Sequence, residues 1–490
     1  MRSCAASPSL LLSGAVAMRD EVLRRAISVS DLLELHIAQV EALNPRLNAV
    51  VVRDFEAARR HAHEADKALA EGVVWGPLHG IPMTVKESYD VEGLPTTWGM
   101  ARFRSNVATR SGTVVQRLVQ AGAIIFGKTN VAEALADWQT ANGLYGTTNN
   151  PWDPKRTCGG SSGGAATAVA SGMSPIEIGS DIGGSLRNPA HYCGVMAHKA
   201  TFGIIPQAGE TFPGTEAAVD ISSNGPIARS VDDLSLVLDV IAGPIDPEAS
   251  AWSLRLPPPR SQHLSGFRVA VLRGEPRFQV DQEIVRALDE LAAFLSPRAA
   301  SVAIDPVLPH SLSEMFDVGV SLLRAATSSR ILPDQFDAQH RLADTLKPED
   351  ESYLARMTRG TTMTHRRWLE LNEARARMRQ AWQKLFESVD IVLCPAAAST
   401  APVHSAEIPR YERMLSINGS PVPEADQLIW AVMSGASYLP STVVPVGISS
   451  DGLPIGVQII SAEFNDRTCL AFARLLEQTF RRFMPPPPCT

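Results

Sequence analysis

Two serines, Ser161 and Ser185, stand twenty-four residues apart in a glycine-dense run, CGGSSGGAATAVASGMSPIEIGSDIGGSLRNPA. A serine hydroxyl attacks a carbonyl poorly until a base takes its proton, and the oxyanion it creates needs oriented donors in a site shielded from water. The segment Asp181-Ile182-Gly183-Gly184-Ser185 can supply those donors. Glycine permits backbone conformations that leave successive N–H groups pointing into one cavity, so Ile182, Gly183, Gly184 and Ser185 are the candidate oxyanion hole.

Two other patterns in the chain are weaker than they look. Residues 122–129, GAIIFGKT, satisfy the phosphate-loop expression G-x4-G-K-T. Their variable positions are apolar and read as a buried strand, whereas a phosphate loop is an open turn after one. Gly159-Gly160-Ser161-Ser162-Gly163 fits the G-x-S-x-G elbow, which requires an acid and then a histidine later in the chain. His191, His198, His263, His310, His340, His365 and His404 are available, but none lies in a telling context. A basic partner of another kind is Lys86, at the end of a short apolar run, GIPMTVK, that reads as a buried strand. The competing reading is a lysine that snorkels to the surface.

The elements that must hold these residues can be read from periodicity and caps. Ser13 is expected to cap a first helix through Met18, Val22 and Leu23 to about Ile27. Ser28 with Asp31 opens a second, stopped by Asn44-Pro45, and a third covers about 54–71. Strands and helices then alternate: 115–121 helical, 123–126 extended, 164–171 helical, 176–179 extended, and a helix capped by Ser230 through Leu238. That alternation predicts an α/β core with a parallel or mixed sheet. A proline-rich connection at 256–259, after which the chain resumes with a strand at 267–272, reads as a surface crossover, because the strands expected at 391–393, 442–446 and 457–460 look like additions to the same sheet. Asn418-Gly419 is a type I′ hairpin signal. The chain is read as one domain, with a disordered tail at 485–490.

With 490 residues the chain can bury a sizeable core, and its net charge of -7, spread along the sequence, argues against nucleic acid as the main partner. Six cysteines (Cys4, Cys158, Cys193, Cys394, Cys469 and Cys489) show neither disulfide nor zinc-ligand spacing, which fits a reducing cytoplasm. Cys158 and Cys193 read as packing groups. Arg2, Leu10-Leu11-Leu12 and Ala15-Val16-Ala17 faintly imitate a secretory signal, but the helical reading of that segment makes it part of the fold. No stretch is long and apolar enough to span a bilayer.

Taken together, Lys86, Ser161 and Ser185, in the contexts GIPMTVKES, GKTN, NNPWDPKRTCGGSSGG and GSDIGGSLRNPA, closely resemble the amidase signature family. Its members include fatty acid amide hydrolases, malonamidases and the A subunit of glutamyl-tRNA amidotransferase. The resemblance runs from about residue 20 to 242 and returns weakly in GLPIGVQII. It implies an α/β fold with a large, twisted, mostly mixed sheet covered by helices on both faces. It also implies roles: Lys86 as general base, Ser161 as a bridging serine that has a cis peptide in this family, and Ser185 as nucleophile. A lysine is a base only when neutral, so such a role requires burial to lower its pKa from about 10.4. Ser162, Asp181 and Arg187 would support the site, the last two as an ion pair shaping the loop.

Leu135, Ala136 and Trp138 resemble positions that line the acyl site in relatives and imply an apolar, fairly open pocket. Some spellings depart from the family's commonest ones. Glu87 and Ser88 stand where aspartate and asparagine are frequent, Ser180 where threonine is common, and Ser434 where asparagine is common. The implied activity is hydrolysis of small amides, extending to aryl amides, esters and carbamates, without metal or organic cofactor. The protein is expected to work as a monomer or homodimer, with no nucleic acid or membrane partner. The alternative is the amidase subunit of a tRNA-dependent amidotransferase complex.

Overall fold

The computed structural model describes residues 8–488. Arg2, Cys4, Cys489 and the last two residues of the proposed tail lie outside them, and 485–488 carry no regular structure. The main sheet has eight strands in the order Ser301–Ile304, Arg268–Val271, Ile391–Pro395, Pro454–Ile460, Ser441–Ile448, Met196–Lys199, Ser223–Ala228, Ile176–Asp181. The first three run parallel and the remaining neighbours antiparallel, so the sheet is mixed. Strands from both sides of the proline-rich connection meet where Ser441, Thr442 and Val443 pair with Lys199, His198 and Ala197. The helices Val231–Ile241, Gln282–Leu295 and Asp466–Thr479 pack on this sheet with their apolar stripes buried.

The Lys86 strand, Pro82–Lys86, does not join that sheet. It pairs parallel with Ile124–Thr129, which pairs antiparallel with Val50–Arg53, in a separate three-stranded sheet. The strand still lies against Ile176–Asp181, but there is no ladder between them, and Thr84 N–H is satisfied by Ser174 Oγ at 3.2 Å. Ile124–Thr129 is buried throughout and contains Gly127 and Lys128, so the GAIIFGKT run is a core strand and not a phosphate loop.

Local boundaries follow the cap chemistry, with two corrections. Ser28 accepts from Asp31 N–H as expected, but the helix Val29–Leu47 runs through Pro45 and ends at Asn48 in the left-handed conformation. Asn44 explains the overrun: its Oδ1 accepts from Ala49 and Val50 N–H at 2.8 Å each, closing the helix end with a side chain. The first long helix spans Ala15–Leu23 and is capped by neither Ser13 nor any other local side chain. Asp233, in the helix Val231–Ile241, accepts from Ala15 and Val16 N–H at 3.0 and 2.9 Å, a cap supplied across the fold. The Asn418-Gly419 turn joins Met414–Ile417 to Ser420–Pro423 with φ values of 52° and 80°, as type I′ geometry demands.

Because Asp233 serves the start of a second helix, Asp233→Ala is expected to lower unfolding stability by about 1–2 kcal/mol. Chemical denaturation measures this. A loss under about 0.3 kcal/mol, the scale of an ordinary surface change, would show that the cap is not structural.

Candidate functional site

Three element ends converge. Lys86 closes the strand Pro82–Lys86, Ser161 precedes the helix Gly163–Ala170, and Ser185 sits between the strand Ile176–Asp181 and the helix Arg187–Cys193. The helix after Ser161 is built of small residues, all buried. They are needed: a Cβ at Gly164 would lie 2.4 Å from Asn130 N. The two serine segments are tied by a hydrogen bond from Ser162 N–H to Ser185 C=O at 3.2 Å. The Gly160–Ser161 peptide bond is cis.

Lys86 has no solvent contact, so it does not snorkel. Its Nζ donates to Ser161 Oγ at 2.8 Å and to Ser180 Oγ at 3.0 Å. Burial lowers its pKa to about 8, with Glu210 and Asp181 opposing the shift and Arg330 adding to it. Asp181 does not pair with the lysine, because Arg187 occupies it through Nη2 at 2.6 Å and Nε at 2.9 Å. Burial alone would raise the Asp181 pKa, but the guanidinium holds it at about 2.

The expected oxyanion hole needs one correction. Gly184 N–H donates to Asp181 Oδ1 at 2.8 Å, so it is spent on the ion-paired carboxylate. The N–H groups of Ile182, Gly183 and Ser185 have no acceptor among the described residues. Gly184 serves by its conformation instead: at φ +91°, a Cβ there would lie 2.9 Å from Trp138 Cζ2 and 3.1 Å from Ala431 Cβ.

Leu135, Ala136 and Trp138 line a cavity of about 580 Å³ that also contains Ile182, Gly183 and Ser185. Trp138 is fixed by its indole N–H to Gly183 C=O at 2.7 Å. The cavity is not simply apolar as expected, because Arg102, Arg324, Arg330 and Arg410 also face it, against Glu133 and Asp137. A narrower compartment of about 10 Å³, lined by Ser161, Ser180, Ser185, Glu210, Trp98 and Arg330 among others, lies beside the serines.

Histidine takes no part in this cluster. His191 accepts from Gly456 N–H at 2.7 Å and bonds Ser399 C=O at 3.0 Å, and burial holds its pKa at about 4. His198 bridges Thr442 and Asp466. Cys158 and Cys193 are buried in a small apolar cluster, and burial pushes the Cys158 thiol up to about 12. Among the described residues no three histidine, cysteine or carboxylate side chains gather as a metal site, and no helix is long and apolar enough to cross a membrane.

A family model described as Amidase matches residues 31–470. The chain belongs to the amidase family. The match continues through the second half, where the sequence alone carried only a weak echo. An indoleacetamide hydrolase of Bradyrhizobium diazoefficiens is 33% identical, over 92% of this chain and 83% of that protein. An acylamidase of Rhodococcus erythropolis is 33% identical, over 94% of each chain. The crystal structure of a bacterial aryl acylamidase of the amidase signature family superposes with a TM-score of 0.80 at 25% identity, over 95% of this chain and 96% of that one.

Several site residues were not legible beforehand. Glu210 and Arg330 come from loop and short-turn segments with no pattern of their own, and Ser180 was noticed only as a spelling variant. Ser434 lies behind the site on Arg187: its Oγ accepts from Arg187 Nη1 at 2.7 Å, and the same nitrogen reaches Gln458 Oε1 at 2.7 Å. The segment after Lys86 supports the compartment's wall, since Glu87 Oε2 accepts from Trp98 N–H at 2.8 Å.

Removing Arg187 would leave the buried Asp181 carboxylate uncompensated. Arg187→Met is expected to lose about 3–5 kcal/mol of stability, whereas an exposed pair such as Arg377–Glu373 would lose under about 1 kcal/mol when broken. Thermal and denaturant unfolding of both variants checks this; equal losses would remove the ion pair from its structural place.

Proposed function

We propose that this chain hydrolyses small carboxylic amides through an acyl-enzyme on Ser185, with Ser161 relaying protons to and from Lys86. The observation that carries the reading is the fully buried Lys86 Nζ at 2.8 Å from Ser161 Oγ, where Ser161 lines a compartment shared with Ser185. In the first half-reaction the Ser185 oxygen bonds to the amide carbon, its proton passes through Ser161 to neutral Lys86, and the C–N bond breaks. The proton returns by the same route to the departing amine. Water then attacks the ester, giving the carboxylic acid and free Ser185. Developing negative charge on the carbonyl oxygen would be met by the unpaired N–H groups of Ile182, Gly183 and Ser185.

The relatives named for indoleacetamide, acylamide and aryl acylamide hydrolysis support an amide substrate, and Leu135, Ala136 and Trp138 offer it apolar surface. Esters and carbamates would follow the same acyl-transfer route. We place the enzyme on a single domain, acting as a monomer or homodimer in the cytoplasm, where the buried free thiols Cys158, Cys193, Cys394 and Cys469 suit a reducing medium.

A fluorophosphonate is expected to form one adduct, on Ser185, and Ser185→Ala to abolish both labelling and amide turnover. Peptide mass spectrometry locates the adduct; stable labelling on Ser161 with Ser185 unmodified would overturn the assignment.

The lysine sets the pH dependence. Neutral Lys86 is the reactive form, so the amide kcat/KM should rise about tenfold per pH unit well below its pKa of about 8 and level off above it. Lys86→Ala should remove that rising limb along with most amide turnover. A flat profile from pH 6 to 9 in the wild type would exclude the lysine as base.

A further inference from the structure

Of the four arginines facing the cavity, Arg410 leaves Nε and Nη2 without a hydrogen bond over the Trp138 ring and Arg324 leaves Nε without one, but Arg330 is the one that lines both the cavity and the compartment holding Ser185. Arg324 donates to the Tyr353 hydroxyl, Arg410 has Glu424 at 4.0 Å, and Arg102 donates to the Arg330 carbonyl at 3.3 Å. Among the described residues the Arg330 guanidinium makes no hydrogen bond and has no carboxylate within ion-pairing distance. Its only close partner is the Trp98 ring, 4.9 Å from its Cζ. Its Nε is sealed from solvent and unpartnered, and so is the Trp98 indole nitrogen. Both residues line the compartment that holds Ser185, and Arg330 also lines the larger cavity that Ser185 opens into.

Arg330 is half-buried with its Nε sealed; a sealed guanidinium nitrogen without an acceptor is costly, and an indole N–H ordinarily finds a partner when buried. Both orphans are donors, and no acceptor faces them at bonding distance. The other charges around Arg330 are Glu210, Lys86 and Arg102. Glu210 is engaged by Ser88 Oγ at 3.0 Å, and burial raises its pKa. An acceptor-rich anion would satisfy these donors, and Arg330 faces the same large cavity as Ser185.

We propose that Arg330, with the Trp98 indole, recognises a carboxylate on the substrate close to the scissile amide, making this enzyme an amidase of anionic amides. This rests on the amidase reading above and adds the substrate class to it. Glu87 is a positioning residue for the subsite, because it holds the Trp98 backbone through Trp98 N–H and Thr97 N–H at 2.8 and 2.7 Å. Arginine suits the task better than lysine, since a planar fork can bind both carboxylate oxygens.

The test uses pairs that differ only by a carboxylate: succinamate against butanamide, 4-carboxyphenylacetamide against phenylacetamide, and 4-acetamidobenzoate against acetanilide. The first two place the charge on the acyl side and the third on the leaving side. In at least one pair the wild type should favour the anion by about tenfold or more in kcat/KM, the scale of one charged hydrogen bond. Arg330→Gln should collapse that ratio towards one through KM, and Arg330→Lys should keep part of it. A wild-type ratio near one in every hydrolysed pair, or a ratio that persists in Arg330→Gln, would overturn the proposal. A pH profile displaced equally for both members of a pair would also do so, since Arg330 would then act only on Lys86. Failure to hydrolyse any of the six compounds would count against the amidase reading instead. Calorimetric titration of succinamate into Ser185→Ala protein still decides the subsite: binding should weaken at least tenfold in the Ser185→Ala/Arg330→Gln protein, and equal or absent binding in both would overturn it.

Discussion

A lysine side chain with no route to water is tolerable only if its surroundings accept either a neutral amine or a well-solvated ammonium, and around Lys86 they do the first. Desolvation disfavours the charged form, and the nearest acceptors are the Ser161 and Ser180 hydroxyls, not a carboxylate. Asp181 would restore the charge if it were free. Arg187 prevents that, and Arg187 is itself held by Ala431 C=O, Ser434 and Gln458. The lowered pKa of Lys86 thus depends on an ion pair whose outer ligands come from the far half of the chain. This gives a physical reason for the two halves to share one sheet: strand Pro454–Ile460 carries Gln458 to the arginine, and strand Ile176–Asp181 carries the aspartate.

Burial of a lysine is not what distinguishes the site. Lys128 and Lys199 are equally buried, and desolvation brings both to about 8 as well. Their partners differ. Lys128 donates to the Pro95 carbonyl and Thr96 Oγ1, and Lys199 donates to the Ala200 carbonyl at 3.0 Å. A carbonyl has no proton to give, and Thr96 lines neither the cavity nor the compartment that holds Ser185. Only at Lys86 does a lowered pKa meet a hydroxyl that borders another serine beside unpaired backbone donors.

What the sequence made legible was local, or was written in residue types that few other arrangements need. The α/β class, the strands on both sides of the proline-rich connection, the Ser28 and Ser230 caps and the Asn418-Gly419 hairpin are local signals, and the structure carries them. The gathering of Lys86, Ser161 and Ser185 was approached through glycine density and a resemblance, since spacing says nothing about which strand ends meet in space. The failures are tertiary. Asp233 capping a helix begun more than two hundred residues earlier, and Asn44 extending a helix past Pro45, use side chains whose partners no periodicity reveals. Pro82–Lys86 was legible as a strand but its place in a separate three-stranded sheet was not, because alternation predicts layers, not which ladder a strand enters. Gly184 was counted as a donor because its type suggested freedom, while its N–H is taken by Asp181.

The cavity shows the same limit in electrostatic form. A net charge of -7 describes the solvated surface, where charges are screened and mutually distant. It does not set the field inside a cavity of about 580 Å³ whose wall brings four arginines together from distant segments. In that lower-dielectric space each guanidinium acts over a longer range than it would outside. Arg330 lies near enough to Lys86 to help keep it neutral, and its Cζ sits 4.9 Å from the Trp98 ring. A positive group placed there favours the neutral base before substrate arrives and also favours negative charge once a substrate is bound. If Lys86 is the base, both effects would favour nucleophilic attack, and Arg330 would link the activation of the lysine to the charge of what enters the cavity.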